Sequence, residues 1–91
     1  MNAIIAGMNS KQRKTLEAVF ATPTHKTLEW TAIESLLKAI GCDVIEGNGS
    51  RVRFVKDLHA TAFHRPHPSK EAKAYQVEQA RDFLILIGVT P

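Results

Sequence analysis

Two arginines and two histidines in the middle of the chain are the side chains best suited to chemistry on a phosphodiester. Arg51 and Arg53 follow the glycine turn 47–49, and His64 and His67 come shortly after them. A guanidinium is a planar fork that binds phosphate through two hydrogen bonds, and histidine passes protons near neutral pH. Attack on a phosphate by the 2′-hydroxyl of RNA needs a base, an acid and a cation beside the phosphorane. His64, His67 and Arg51 could supply these groups, and the alternative is that they are solvated surface residues.

Basic charge is concentrated around these residues. The whole chain carries a formal charge of +3, whereas residues 51–73 hold six lysines and arginines against two acidic residues, a balance of +4 without histidines. The remainder is slightly acidic. Such a segment favours a polyanion or an acidic protein as partner. The alternative is an ordinary solvated charged face.

Composition excludes several classes of protein. Cys42 is the single cysteine, so no internal disulfide forms, which suggests a reducing, cytoplasmic setting. A zinc site needs three or four ligands at fixed spacing, and the histidine cluster offers two with a distant cysteine, so we predict no metal and no cofactor. The longest apolar run, Phe83 to Ile87, is too short to span a membrane. We predict a flexible segment over residues 1–9 and a single domain over residues 10–91.

Helix signals occur in three places. Serine is a good N-cap at Ser10 and Ser69, and Thr31 with Glu34 fits the capping box that satisfies free amides reciprocally. Gly41 tolerates positive φ and is expected to end the second helix. The predicted helices run from Ser10 to about Ala21, from Thr31 to Gly41 and from Ser69 to about Ile87.

Three short strands lie between the second and third helices. The alternation of apolar and polar residues predicts them at about 42–46, 50–56 and 58–64, with turns at Gly47–Gly49 and at Lys56–Asp57. The order α-α-β-β-β-α predicts an α+β fold. In it a small three-stranded antiparallel sheet carries helices on one face and leaves the other face open.

The second turn decides which residues share a face. A symmetric turn at Lys56–Asp57 places Arg51 opposite Ala62 and Arg53 opposite Ala60, since paired residues point the same way. Arginines beside small alanines make a flat surface that a phosphate backbone can approach. A register slip of one residue would instead bury the alanines under a helix. The predicted core set is Val52, Phe54, Thr61 and Phe63, and the predicted open-face set is Arg51, Arg53, Ala60, Ala62 and His64.

Several short motifs resemble the HicA toxins of HicA–HicB toxin–antitoxin systems. The resemblance covers about residues 28–90 and leaves the first predicted helix as an N-terminal addition. It rests on the order and spacing of four stretches: Ile33–Gly41, Gly49–Phe54, His67 between two prolines, and Phe83-Leu84 followed by Gly88-Val89.

The resemblance implies a fold like a double-stranded-RNA-binding domain, endonuclease activity on mRNA, and neutralisation by a HicB-like antitoxin. The family's catalytic histidine follows Gly-Ser at the start of the second strand, where this chain has Arg51. Arginine stays protonated and cannot be the base. Either His64 or His67 has taken that role, or the chain is a non-catalytic RNA-binding or protein-interaction module. The residues predicted to contact RNA are Ser50, Arg51, Arg53, Arg65 and Lys70.

Overall fold

The computed structural model describes residues 7–91, and within them the elements follow the predicted order. The three helices lie against one face of an antiparallel sheet with strand order β1-β2-β3. The α+β class and the arrangement like a double-stranded-RNA-binding domain are confirmed. The helices are α1 (Ser10–Val19), α2 (Trp30–Ala39) and α3 (Ala74–Leu86), and the strands are β1 (Asp43–Glu46), β2 (Arg51–Lys56) and β3 (His59–His64).

Helix α1 begins with a capping box one residue earlier than predicted. The side chain of Asn9 accepts a hydrogen bond from the backbone of Gln12 at 2.8 Å, and the Gln12 side chain accepts one from the backbone of Asn9 at 3.0 Å. Ser10 is therefore the first helical residue and not the cap. Two reciprocal bonds satisfy two free amides, whereas a serine cap satisfies one.

The capping box predicted for α2 is wrong, because Glu34 is used elsewhere. The helix starts at Trp30, before Thr31, and its cap position makes no side-chain hydrogen bond. The carboxylate of Glu34 instead accepts from Nε1 of Trp30 at 2.7 Å and from Arg65. The predicted stop at Gly41 is confirmed, since this glycine takes a φ of 98°.

Helix α3 starts five residues after the predicted cap. The hydroxyl of Ser69 accepts a hydrogen bond from the backbone of Glu71 at 3.1 Å, which makes a local turn and not a helix start. Lys73 is the cap residue of the helix. The apolar side of the helix packs into the core, with Val77, Ala80, Phe83 and Leu84 buried.

The hairpin between β2 and β3 has a different turn from the predicted one. Lys56 pairs with His59, so the turn residues are Asp57 and Leu58, and Asp57 takes a φ of 55° that aspartate tolerates better than most residues. The predicted register is therefore wrong by two residues, and Arg51 faces His64 instead of Ala62. An even shift leaves the side-chain faces unchanged. Burial confirms the predicted open-face set and the core positions of Val52, Phe54 and Phe63, whereas Thr61 is only partly buried.

The core lies between the helices and the inner face of the sheet. Trp30, Phe54 and Phe63 form an aromatic cluster at its centre, with ring centroids 4.9 to 6.3 Å apart. Of the segment predicted to be flexible, residues 1–6 lie outside the described residues. Met8 is buried in the core and Asn9 caps α1, so ordered packing begins before residue 10.

Candidate nucleic-acid interface

The outer face of the sheet carries exposed cationic side chains between small or apolar ones. Arg51, Arg53 and His64 are exposed, and Ala62 lies between them on β3. On β1, Ile45 pairs with Arg53 and continues the same surface. The surface is a shallow concavity of about 590 Å³, and its lining includes Ile45, Arg51, Arg53 and His64. We call this surface the open face.

Arg51 and His64 are directly opposite each other on neighbouring strands. The backbone of Arg65 donates to the carbonyl of Ser50 at 2.8 Å, which makes residues 50 and 65 a hydrogen-bonded pair. The next pair, Arg51 with His64, is then the closer, non-hydrogen-bonded kind, with Cα atoms roughly 4.5 Å apart. The observed register thus makes His64 the cross-strand partner of Arg51, where the predicted register placed Ala62. One phosphate can contact both side chains.

The hydroxyl of Ser50 lies 3.3 Å from Nδ1 of His64. Either Nδ1 carries the proton and donates to the hydroxyl, or the hydroxyl donates to an unprotonated Nδ1. Both arrangements fix the ring and leave Nε2 as the atom that takes or gives a proton. In the first tautomer Nε2 is free to take a proton as a base, and once the ring carries protons on both nitrogens Nε2 can give one as an acid.

Two glutamines of α3 hold the opposite side of β3. Nε2 of Gln76 donates to the carbonyl of His64 at 2.8 Å, and Nε2 of Gln79 donates to the carbonyl of Ala62 at 2.7 Å. Gln76 is only 2% exposed, so this polar group is buried and satisfied. Sequence reasoning missed both residues. The available signal was their spacing of three, which places them on one side of a helix.

Arg65 is occupied by two carboxylates. Its Nε and Nη2 donate to Glu34 at 3.0 and 2.9 Å, and its Nη1 and Nη2 donate to Glu46 at 2.6 and 2.9 Å. We call these three residues the Arg65 clamp. It joins α2, β1 and the end of β3. The hydrogen bonds that Arg65 donates lower the pKa of both carboxylates, against the opposing effect of desolvation. The same hydrogen bonds, to Glu46 first and then to Glu34, raise the pKa of Arg65.

The structure therefore separates the residues that sequence analysis grouped together. Ser50, Arg51 and His64 are in contact or paired, and Arg53 lies on the same face. Arg65 uses four of its five N–H donors inside the clamp, so it has no pair of donors left for a bidentate contact with phosphate. His67 and Lys70 are exposed on the segment between β3 and α3 and do not line the concavity.

Two further observations concern residues 7–91 only. They contain no group of three or more histidine, cysteine, aspartate or glutamate side chains placed to hold a metal ion. None of the helices in this range combines the length and the apolar character needed to cross a membrane.

The fold and the open face together define a small domain like a double-stranded-RNA-binding domain with a cationic outer sheet surface. The family described as the HicA toxin of bacterial toxin–antitoxin systems matches residues 30–86, which is more than half of the chain. The chain belongs to the HicA toxin family, whose members have a partner of the antitoxin kind. Helix α1 precedes the matched region. Neither a curated protein nor a solved structure matches the chain.

Proposed function

We propose that this HicA-family toxin binds RNA on the open face and cleaves it without a metal ion. The observation that carries the proposal is the cross-strand pair of Arg51 and His64, with Ser50 in contact with the imidazole. It combines a permanent cation and a proton-transfer group on one exposed surface. Arg53 extends the basic surface along the RNA backbone, and Arg65 supports it indirectly through the clamp. Lys70 lies outside the concavity and would contact only RNA that continues past the end of β3.

The proposed reaction is an internal transesterification. The 2′-oxygen attacks the adjacent phosphorus while Nε2 of His64 takes the hydroxyl proton. Arg51 binds the non-bridging oxygens and stabilises their growing negative charge. The bond to the 5′-oxygen breaks, and that oxygen receives a proton from the acid, which leaves a 2′,3′-cyclic phosphate and a 5′-hydroxyl. We assign the acid to His67, the other histidine near the end of β3.

A second candidate function is RNA binding without cleavage. Arg51 occupies the position at which the resemblance to the family implies a catalytic histidine, and arginine cannot act as a base. Under this alternative the open face still binds RNA, but His64 only packs beside Ser50. The two candidates agree on binding and differ on chemistry.

Cleavage of RNA in the presence of EDTA separates the two candidates. We expect wild-type protein to cleave and His64→Ala to be slower by about 10²-fold or more, since a general base is lost. His59→Ala is the matched control, because His59 lies at the other end of the same strand and pairs with Lys56. Equal rates for wild type and His64→Ala would show that the base is misassigned. His67→Ala tests the acid in the same assay.

Arg51→His restores the residue type that the family resemblance implies. If the native protein is an enzyme, wild type is active and this variant keeps or raises the activity. If the native protein is a binding module, wild type neither cleaves RNA nor inhibits bacterial growth when expressed, and Arg51→His gains both properties. The second result would contradict the catalytic proposal and leave the binding proposal intact.

We also propose that a HicB-like antitoxin covers the open face. An acidic inhibitor would pair with Arg51 and Arg53, which raises the association rate more than the affinity. Reversing both charges to glutamate should slow association at low salt. The control reverses Arg13 and Lys14, exposed cations of α1, and makes the same change in net charge. Equal on-rates for the two double variants would place the antitoxin on another surface.

A further inference from the structure

The two edges of the sheet differ in whether side chains of a helix bond to their outward backbone groups. Along β3, Phe63 and Arg65 bond to the neighbouring strand or its preceding residue, so the carbonyls of Ala62 and His64 point away from β2. Gln79 and Gln76 of α3 donate to these two carbonyls. Side chains of a packed helix therefore occupy two of the acceptors that another strand would need at this edge.

The edge formed by β1 has no such cover. The backbone of Gly47 donates to the carbonyl of Arg51 at 2.9 Å. In an antiparallel pair of strands every second residue bonds to the neighbouring strand. The backbone groups of Val44 and Glu46, which fall at the other positions, therefore point away from β2. No hydrogen bond from the described part of the chain reaches those outward N–H and C=O groups. A strand with unpaired groups on one side is a template for pairing with another chain.

Strand β1 has few of the side chains that usually prevent an exposed edge from pairing with another strand. Natural edges are blunted by proline, by lysine and by other charged side chains, and β1 reads Asp-Val-Ile-Glu. Glu46 is held by Arg65, which offsets its charge. Ile45 is 44% exposed on the open face. Asp43 is the one charged residue of the strand outside the clamp.

We propose that β1 pairs with β1 of a second copy of the chain, antiparallel about a twofold axis, to give a continuous six-stranded sheet. The outward groups of Val44 and Glu46 fix the register, since Val44 of one copy then exchanges hydrogen bonds with Glu46 of the other. Ile45 faces Ile45 of the second copy in the closer kind of pair, and Asp43 faces Gly47. No like charges are directly opposed, so the strand is complementary to itself.

The self-complementary register is what favours a second copy over an unrelated strand. It covers the exposed Ile45 side chain and satisfies the outward groups of both strands at once. The contact is short, and it falls below the roughly 1,200–2,000 Å² of stable complexes. We therefore expect a reversible dimer with a dissociation constant in the micromolar range or weaker. The inference does not depend on RNA binding, although it would join two open faces into one surface.

Sedimentation over a range of protein concentrations tests the dimer. Wild-type protein should show reversible association, and Ile45→Lys should remain monomeric because two cations would oppose each other across the axis. Leu58→Lys is the control, since Leu58 is 99% exposed in the β2–β3 turn and the charge change is the same. Monomeric wild-type protein at every concentration, or association of Ile45→Lys equal to that of wild type, would overturn the proposal.

Disulfide trapping locates the contact. Opposed residues of this kind have Cα atoms roughly 4.5 Å apart, within the range a disulfide spans. Ile45→Cys should therefore form a covalent dimer under mild oxidation, and Leu58→Cys should not. The native thiol will not interfere, because Cys42 is buried and desolvation raises its pKa to about 11. Equal trapping at both positions would contradict the register.

Amide hydrogen exchange distinguishes a second copy from another occupant. Exchange at Val44 and Glu46 should slow as the concentration of the isolated protein rises, and Ile45→Lys should abolish that dependence. Protection that is independent of concentration, and that arises only when an antitoxin is added, would assign the edge to the antitoxin and overturn the proposal.

Discussion

Arginines close together in sequence serve different purposes because their surroundings differ. Arg51 and Arg53 lie on the open face beside alanines and Ile45, and neither forms an ion pair with a carboxylate of residues 7–91. Arg65 lies at the end of β3 between Glu34 and Glu46, and four of its five N–H donors bind these carboxylates. The same side chain is therefore available to a ligand in one region and part of the scaffold in the other.

The difference shows that cationic charge in a sequence is a poor measure of a binding surface. Residues 51–73 carry a balance of +4, but the clamp offsets the charge of Arg65 locally with two carboxylates from outside that segment. An open cation favours phosphate, whereas a cation already paired would have to break its bonds first. Binding, chemistry and stability should therefore respond to different arginines.

The largest effect should come from the open face, in the reaction itself. Arg51→Ala removes the group that stabilises charge on the phosphate and should slow cleavage by about 10²-fold or more. The fold should be unaffected, because this side chain is exposed. Single-turnover cleavage measures the loss of rate, and urea unfolding of the same preparation checks that stability is unchanged. A variant that cleaves at the wild-type rate would remove Arg51 from the mechanism.

The next effect concerns the clamp and stability. Arg65→Ala leaves Glu34, whose side chain is 14% exposed, without its strongest partner. We expect the free energy of unfolding to fall by about 1–3 kcal/mol, the usual cost of losing a hydrogen-bond partner of a charged group. Arg53→Ala is the matched control and should change it by less than about 0.5 kcal/mol. Equal losses in urea unfolding would end the distinction between the two regions.

A smaller effect should appear in acid. The hydrogen bond from Arg65 holds the pKa of Glu34 below its usual value of 4.5 in the folded state. The clamp thus stabilises the fold fully above that value, and the contribution is lost as the pH falls through the lower, folded pKa. The difference in unfolding free energy between wild type and Glu34→Gln should therefore narrow in acid. A difference that stays constant with pH would contradict the ion pair.

The smallest effect is on the salt dependence of RNA binding. Each phosphate contact to a single strand contributes roughly −0.7 to the log–log slope, so about three contacts should give a slope near −2. Arg53→Ala should flatten it by less than about one unit. Arg13→Ala, on α1, should leave it unchanged. A wild-type slope near zero would show that phosphate contacts do not drive binding.

The face on which each side chain lies could be predicted from the sequence, because side chains alternate between the two faces along a strand. Moving the turn from Lys56–Asp57 to Asp57–Leu58 shifted the pairing by two residues and changed no side chain's face. The register itself depended on which residue would accept a positive φ, and the sequence has no glycine there to mark it. The partner of His64 was therefore missed although its face was correct.

Contacts between residues far apart in sequence replaced some of the local interactions that the sequence predicts. Thr31 and Glu34 have the spacing of a capping box, but Glu34 bonds to Trp30 and Arg65 instead. Arg65 lies 31 residues from Glu34 and 19 from Glu46, so no local pattern connects them. The spacing of the two glutamines that hold β3 places them on one side of α3, but their partners lie 12 and 17 residues away, so the contacts themselves could not be predicted.

RNA affinity measured on folded protein tests the central claim most directly. The two samples are the double variant Arg51→Ala/Arg53→Ala and the single variant Arg65→Ala, both below the unfolding temperature of the less stable one. We predict that the double variant loses roughly tenfold or more in affinity, about 1.4 kcal/mol, and that Arg65→Ala binds RNA nearly as wild type does. A loss for Arg65→Ala as large as that for the double variant would contradict the division between an RNA-binding open face and a structural clamp.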